Sequence, residues 1–307
     1  MVRLAHFSVR EYLTSERILL APDLTAQYSI REISANLSIA EICLAYLLQF
    51  DKPELTKSTW ESFPLARYAA EYWIQHAAAS EEGEGLDTTS LLEMEAELFL
   101  TKPDASFNWT LMYEGDTVSR RPEVERPSVE LVDPLCIASQ CGGLETVRLL
   151  IKAGANVNAR SRYPYHGTPL QVACKAGHYQ VVRTLLNAGA EVNAPGNFVD
   201  NALMSASRKS RNEIVQLLLT AGADPGVSTA GTCPLWLATY GGDCHIIYLL
   251  IDYGADVNWC DINGNSLLRL AIRHNKIENA RVLEENGAID YGMDCSDAEW
   301  EQMLAAF

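Results

Sequence analysis

From about residue 131 onward the apolar residues fall in paired clusters that recur along the chain. Leu135 and Ala138 precede Val147, Leu149 and Leu150. Leu170 and Ala173 precede Val182, Leu185 and Leu186, and Leu203 and Ala206 precede Val215, Leu217 and Leu218. Leu235 and Ala238 precede Ile247, Leu249 and Leu250, and Leu268 and Ala271 precede Val282 and Leu283. Within each unit a leucine and a small residue three positions on share one helical face. A glycine closes each unit: Gly154, Gly189, Gly222, Gly254 and Gly287. The interval from leucine to glycine is 19 in all five units, and successive glycines are 35, 33, 32 and 33 apart. A core of fixed length with joints of variable length is the pattern of stacked supersecondary units. Each unit predicts two short helices. Pro134, Pro169 and Pro234 sit at the first turn, where proline's missing N–H costs nothing, and the closing glycine takes the left-handed shape that ends the second helix. Gly142, Gly177 and Gly242 mark the turn between the two helices. Ser210 and Asn275 stand at that place in units three and five, which are therefore expected to be the weak joints.

The first part of the chain has helical periodicity without a repeat. Ile30, Ile33, Leu37, Ala40, Leu44 and Leu47 predict one helix over 30–50. A second is predicted from Pro64, with Leu65, Tyr68, Ala69, Tyr72, Trp73 and His76 on one side. A third runs from Ser90 to Leu100. Ser followed three residues later by Glu, at Ser8, Ser29, Ser58 and Ser90, is a capping-box pattern that opens a helix. The same reading makes Ser8 a cap rather than a nucleophile beside His6, since no orienting acid or oxyanion site accompanies the pair. His76 reads as a packed residue rather than a ligand. Residues 102–130 mix prolines with charges and read as a linker in which Phe107, Asn108 and Trp109 dock.

Charge divides the chain unevenly. Net charge is −16, with 11 Lys and Arg against 22 Asp and Glu in residues 1–130, 13 against 11 in 131–281, and 0 against 7 in 282–307. Acidic flanks argue against a duplex nucleic-acid binder, which needs a basic face to release counterions. The eight cysteines form no CxxC pair, so reduced, buried thiols of a cytoplasmic protein are expected rather than a zinc site. No stretch is long and apolar enough to span a bilayer. Gly-Lys dipeptides, a GxSxG elbow and HExxH are all absent from the sequence, so no phosphate-binding loop, serine nucleophile or zinc helix is expected, and neither are catalysis or a cofactor.

Thr168-Pro169-Leu170, the A-x-x-G turns, the paired leucines and the AGAxVN phrases, at a period near 33, together resemble ankyrin repeats over residues 131–291 in five units. The histidine that usually follows TPL is replaced by Cys136, Gln171, Met204, Trp236 and Arg269, which implies the loss of a polar link between neighbours. Further upstream, LAHFSVREYL, IAEICLAYLLQF, PLARYAAEYWIQHA and FNWTLMY, in that order, resemble the helical region after the nucleotide-binding module of fungal NACHT–ankyrin proteins. That resemblance implies an NTPase module upstream of residue 1. The expected fold is all-α: a helical region over 1–101, a linker over 102–130, an ankyrin solenoid with short β-hairpin loops over 131–291, and an acidic tail or capping helix over 292–307. The ankyrin resemblance implies a non-catalytic interaction scaffold whose concave face takes a protein segment that is acidic or aromatic-bearing. The alternative is a fragment that works only when joined to its nucleotide module. On that face the resemblance places Lys175, Arg208, Lys209, Tyr240 and Arg273 before the turn residues. It adds Arg160, Arg162, Tyr163, Tyr165, Phe198 and Trp259 at the tips.

Overall fold

The computed structural model describes residues 22–52, 63, 65–81, 86–114, 133–160, 167–196, 200–229, 231–241 and 243–289, and the backbone alone for 22–33, 111 and 114. The chain divides into two compact units between Val129 and Glu130.

In the first unit, α1 (Pro22–Leu47) lies against α2 (Ala66–Glu81), followed by α3 (Thr89–Ala96), a π-helical turn over Glu97–Thr101, and α4 (Pro103–Glu114). The buried stripe of α1 holds Leu37, Ala40, Leu44 and Leu47. That of α2 holds Ala66, Ala69, Ala70, Trp73, Ile74 and Ala77, which keeps Ala69 and Trp73 of the expected face and shifts the rest. Leu65 and Tyr72 are exposed, because the alanines on the stripe let α1 come close and the larger rings move to its edge. There the Tyr68 hydroxyl lies 2.8 Å from His76 Nε2, and His76 Nδ1 lies 2.9 Å from Asn36 Oδ1. His76 is thus held by two polar side chains.

Two further expectations are corrected here. Residues 103–114 are not linker. They form α4, which opens on a proline at its first turn and buries Ala105, Trp109 and Met112. Trp109 Nε1 donates to the Ala70 carbonyl at 2.9 Å, and its ring packs edge-on against Trp73 with centroids 5.7 Å apart. Asn108 Nδ2 closes the end of the first helix by donating to the Phe50 and Lys52 carbonyls. The rest of the expected linker, 115–130, lies outside the described residues, as do the expected cap residues Ser8 and Ser58 and the tail 292–307. Ser29 lies inside α1 and Ser90 inside α3, so neither opens a helix. The Asp87 carboxylate instead accepts from the Thr89 N–H at 3.0 Å.

The second unit contains five helix pairs among the described residues. They are α5 (Pro134–Cys141) with α6 (Leu144–Lys152), α7 (Pro169–Ala176) with α8 (Tyr179–Asn187), and α9 (Ala202–Arg208) with α10 (Asn212–Thr220). After them come α11 (Pro234–Gly241) with α12 (Cys244–Asp252), and α13 (Leu267–Arg273) with α14 (Ile277–Glu285). Consecutive first helices touch, and consecutive second helices touch, so the pairs form a single row. Each start has a side-chain cap: Asp133, Thr168, Asn201 and Ser266 accept from helix N–H groups, and Cys233 Sγ accepts from the Trp236 N–H at 3.3 Å. Between pairs, the described connections carry isolated antiparallel bridges, Thr229 to Thr232 and Cys260 to Ser266.

The structure corrects the expected loss of the polar link at Gln171. Gln171 Oε1 accepts from the Thr168 N–H at 3.0 Å while Nε2 donates to the Ala194 carbonyl at 2.9 Å. This glutamine makes both a capping box and a buried tie to the next connection.

Two sets of hydrogen bonds join neighbouring pairs. In the first, an asparagine reaches from one closing phrase to the next. Asn158 donates to the Gly189 carbonyl and accepts from Glu191 N–H. Asn193 does the same with Gly222 and Asp224, and Asn258 with Gly287 and Ile289. In the second set, a side chain from the later pair reaches a carbonyl at the end of the earlier first helix. His178 Nε2 donates to Gln140 at 3.0 Å, Arg211 Nη2 to Ala176 at 3.0 Å, and Asn279 Nδ2 to Thr239 at 2.9 Å. The turn glycines make room for this set: a Cβ on Gly142 would sit 2.6 Å from the His178 ring. Between the third and fourth pairs both sets lapse. Gly226 occupies the asparagine position, and Asp243 spends its carboxylate on its own helix, accepting from Ile246 N–H. Among the described residues neither set crosses that joint. The Thr229 hydroxyl of its connection donates to Met204 Sδ at 3.8 Å, and apolar residues are buried on both sides, Leu203, Met204 and Leu218 on one and Leu235, Leu237 and Ile247 on the other.

Ser210 and Asn275 have φ of +51° and +56°, so both residues standing in for turn glycine are left-handed. The conformation costs any residue with a Cβ, and less for asparagine. Ser210→Gly is therefore expected to stabilise the chain by about 0.5–1 kcal/mol, read from the midpoint of chemical denaturation. A neutral or negative change would mean that the serine side chain compensates for its own backbone. Gly226→Asn is expected to restore the missing asparagine bridge to Gly254 and Asp256, because the Gly226 N–H bonds back to Asp224 Oδ1 in the same turn that holds Asn158 and Asn258. The gain should be about 0.5–1.5 kcal/mol over Gly226→Ala, which adds a side chain but no bridge. Equal stability of the two variants would show that no bridge forms.

Candidate functional site

The expected site residues that the structure describes lie at the ends of the first helices and in the connections between pairs. Lys175, Lys209, Tyr240 and Arg273 are exposed at the ends of α7, α9, α11 and α13, and Arg160 is exposed after the first closing phrase. Trp259 is half-buried. Arg162, Tyr163, Tyr165 and Phe198 lie outside the described residues.

Arg208 departs from expectation. Its guanidinium grips the Asp200 carboxylate through two hydrogen bonds, Nε to Oδ2 at 2.8 Å and Nη2 to Oδ1 at 2.9 Å. The pair raises the arginine further above its ordinary range, through the hydrogen bond first and the facing charge second. Arg208 is thus a committed cation. Lys175, Lys209 and Arg273 have no ion-pair partner among the described residues.

Tyr240 and Arg273 are brought together, and the residue that joins them is one that sequence reasoning did not place in the site. Trp236 stacks on Tyr240 one helical turn later, with centroids 5.5 Å apart and planes 1° from parallel. The His274 ring meets Tyr240 edge-on at 4.8 Å. Tyr240 thus touches the rings of both Trp236 and His274, and these two line a cleft of about 280 Å³ between α11 and α13. Arg269, Leu270 and Arg273 line its second wall, and Asp261, Asn263 and Asn265 form its rim. In pairs one to three the position equivalent to Trp236 holds Cys136, Gln171 and Met204, all buried. Pairs four and five place Trp236 and Arg269 there, half-buried, and both enter the cleft. The sequence signal was present as a break in the repeat: two large side chains where three buried ones precede them.

The rim is tied to itself. Asp261 Oδ1 accepts from the N–H groups of Asn263 and Asn265, and Oδ2 accepts from Asn265 Nδ2. Desolvation pulls the Asp261 carboxyl upward, but these hydrogen bonds outweigh it and hold the group below its ordinary range.

Burial pushes Cys43 and Cys233 up to about 11 and raises Cys136 and Cys174 further, so all four favour the protonated form. Among the described residues no three His, Cys, Asp or Glu side chains come together as a metal site. No described helix is long and apolar enough to cross a membrane.

Comparison with known proteins fits this geometry. The family profile for ankyrin repeats (3 copies) matches residues 126–196 and 203–294. The azaphilone pigments biosynthesis cluster protein L of Monascus ruber is 37% identical over 239 residues, covering 73% of this chain and 41% of that protein. That stretch is longer than residues 130–307, so the likeness reaches into the first unit. A protein of Pyrobaculum aerophilum named as an ankyrin repeat protein is 34% identical over 77 residues, 25% of this chain and 29% of that protein. The chain thus spans well under half the length of either relative. With a family profile over more than half its residues and a row of capped helix pairs beneath it, the chain belongs to the ankyrin-repeat family.

Proposed function

We propose that the five helix pairs are five ankyrin repeats, and that the chain is a non-catalytic scaffold binding a protein segment along the face formed by the ends of its first helices. The observation that carries this reading is a set of exposed side chains at the ends of successive first helices: Lys175, Tyr240 and Arg273 at equivalent positions, and Lys209 one residue after the equivalent Arg208. Lys175, Lys209, Tyr240 and Arg273 face solvent there, and the three cations have no ion-pair partner among the described residues of a chain of net charge −16. Cations concentrated on one face of an acidic molecule favour an acidic segment, and exposed aromatic and arginine side chains are the residue types that dominate interface energetics. Arg160, Arg162, Tyr163, Tyr165 and Trp259 extend the same face in this reading. Arg208 contributes its bound carboxylate partner as well as its own charge.

The first unit is read as the region that follows a NACHT nucleotide-binding module, and the repeats as the recognition end of such a signalling protein. The order of its four sequence phrases supports this. So does a relative that shares sequence with both units and extends far beyond the length matched here. Cytoplasmic placement goes with that reading.

The experiment is affinity capture from native extract with the whole chain, compared with Lys175→Glu combined with Lys209→Glu. Both side chains are exposed, so the thermal melt should hold while capture of the partner falls by about tenfold or more. Capture unchanged by the double reversal would remove this face as the binding surface.

A further inference from the structure

The cleft between α11 and α13 is more specific than the face around it, and its composition narrows the kind of segment it can take. Its volume of about 280 Å³ falls just below the range of small-molecule sites and suits one large side chain. Its first wall is an aromatic ledge, Trp236 stacked on Tyr240, with Tyr240 still 51% exposed. Leu270, 8% exposed, supplies an apolar surface in the second wall. Arg273 stands on that wall with no carboxylate paired to it among the described residues.

The carboxylate at the mouth does not answer that arginine. Both oxygens of Asp261 are taken up by Asn263 and Asn265 of its own turn, so the loop satisfies its acid internally. What is left uncommitted is a guanidinium beside a flat aromatic surface. A ring inserted there gains stacking against Trp236 and Tyr240 and a cation near its face. A carboxylate beside that ring pairs with Arg273 by a charge-assisted bond.

We propose that this cleft is the specificity pocket of the chain, taking an aromatic side chain of a partner protein segment whose neighbouring residue is a carboxylate. The inference rests on the scaffold reading above and names the recognition element within it. A single-stranded nucleic acid offers the same pairing of ring and anion. The acidic balance of the chain, a net charge of −16, favours the protein segment over a continuous phosphate backbone.

The test uses the whole chain and a fluorescein-labelled peptide with a central Glu-Trp-Glu, followed by anisotropy. Saturable binding is expected, weakened about tenfold or more when the peptide tryptophan becomes alanine, or when both glutamates become glutamine. Arg273→Gln should weaken it to a similar degree with an unchanged melt, since that side chain is exposed. Trp236→Leu should do the same, and Tyr240→Ala serves in its place if the tryptophan variant unfolds. Absence of saturation, equal affinity for Arg273→Gln, or displacement of the peptide by a single-stranded oligonucleotide at lower concentration than by unlabelled peptide would overturn the inference. The scaffold reading is judged separately. Partner capture that survives Arg273→Gln with Trp236→Leu, yet is lost on reversing Lys175 and Lys209, sinks the pocket and leaves the scaffold standing. Capture indifferent to both pairs of substitutions sinks the scaffold as well.

Discussion

Five alanines, Ala138, Ala173, Ala206, Ala238 and Ala271, occupy the same place in five helix pairs, and every one is fully buried. The second unit depends on them. A helix pair of this length cannot bury its own apolar faces, so it becomes stable only against a neighbour. A side chain of one methyl group at the contact lets successive first helices approach closely enough for the leucines on either side to interlock. A larger residue at any of these positions would separate two pairs and also pull apart the hydrogen bonds between their ends. The spacing of the row, the fit of Gly142 under the His178 ring and the reach of Arg211 to the Ala176 carbonyl all follow from that one small contact.

The electrostatic character of the proposed binding face is a product of subtraction. Its cations are ordinary in number, and folding removes some of them from use. Asp200 is carried to Arg208 by the connection before α9 and fixes it in a two-point grip. On the same face a turn of Asp261, Asn263 and Asn265 satisfies its own acid and leaves Arg273 unanswered. Charge that remains unpaired among the described residues is charge open to a partner: Lys175 and Lys209 on pairs two and three, and Arg273 beside the aromatic rings of pairs four and five.

The repeat unit was legible because its signals are backbone signals. Proline at a first turn, a residue that tolerates left-handed φ between helices, and glycine at the close recur at fixed intervals whatever the surface does. The left-handed shape expected at Ser210 came from the same source, and its φ of +51° agrees. Helix α4 was hidden because its buried face is partly polar: Asn108 and Thr110 are interior along with Trp109 and Met112. Hydropathy records them as breaks, although each has a carbonyl partner in the fold. The stripe of α2 was partly misplaced for the opposite reason. Tyrosines outweigh alanines on any apolar scale, while close helix contact prefers the alanines. The cleft could not be read from the sequence at all, since Trp236 becomes a wall only when the next pair brings Arg273 and His274 beside it.

The joint between the third and fourth pairs has a mechanical meaning. Directional bonds resist rotation of one pair against the next, whereas apolar contacts permit sliding at little cost. A row bonded at three joints and merely packed at the fourth behaves as two stiff blocks, pairs one to three and pairs four and five, with compliance concentrated between them. Local opening follows such boundaries, so the second block can loosen as a body while the first keeps its form. Lys175 and Lys209 belong to the first block, and Tyr240, Arg273 and the cleft to the second. The curvature of the binding face is therefore set at one place. A partner that holds both blocks supplies the cross-link that Gly226 omits, and part of its binding energy is spent on stiffening the row.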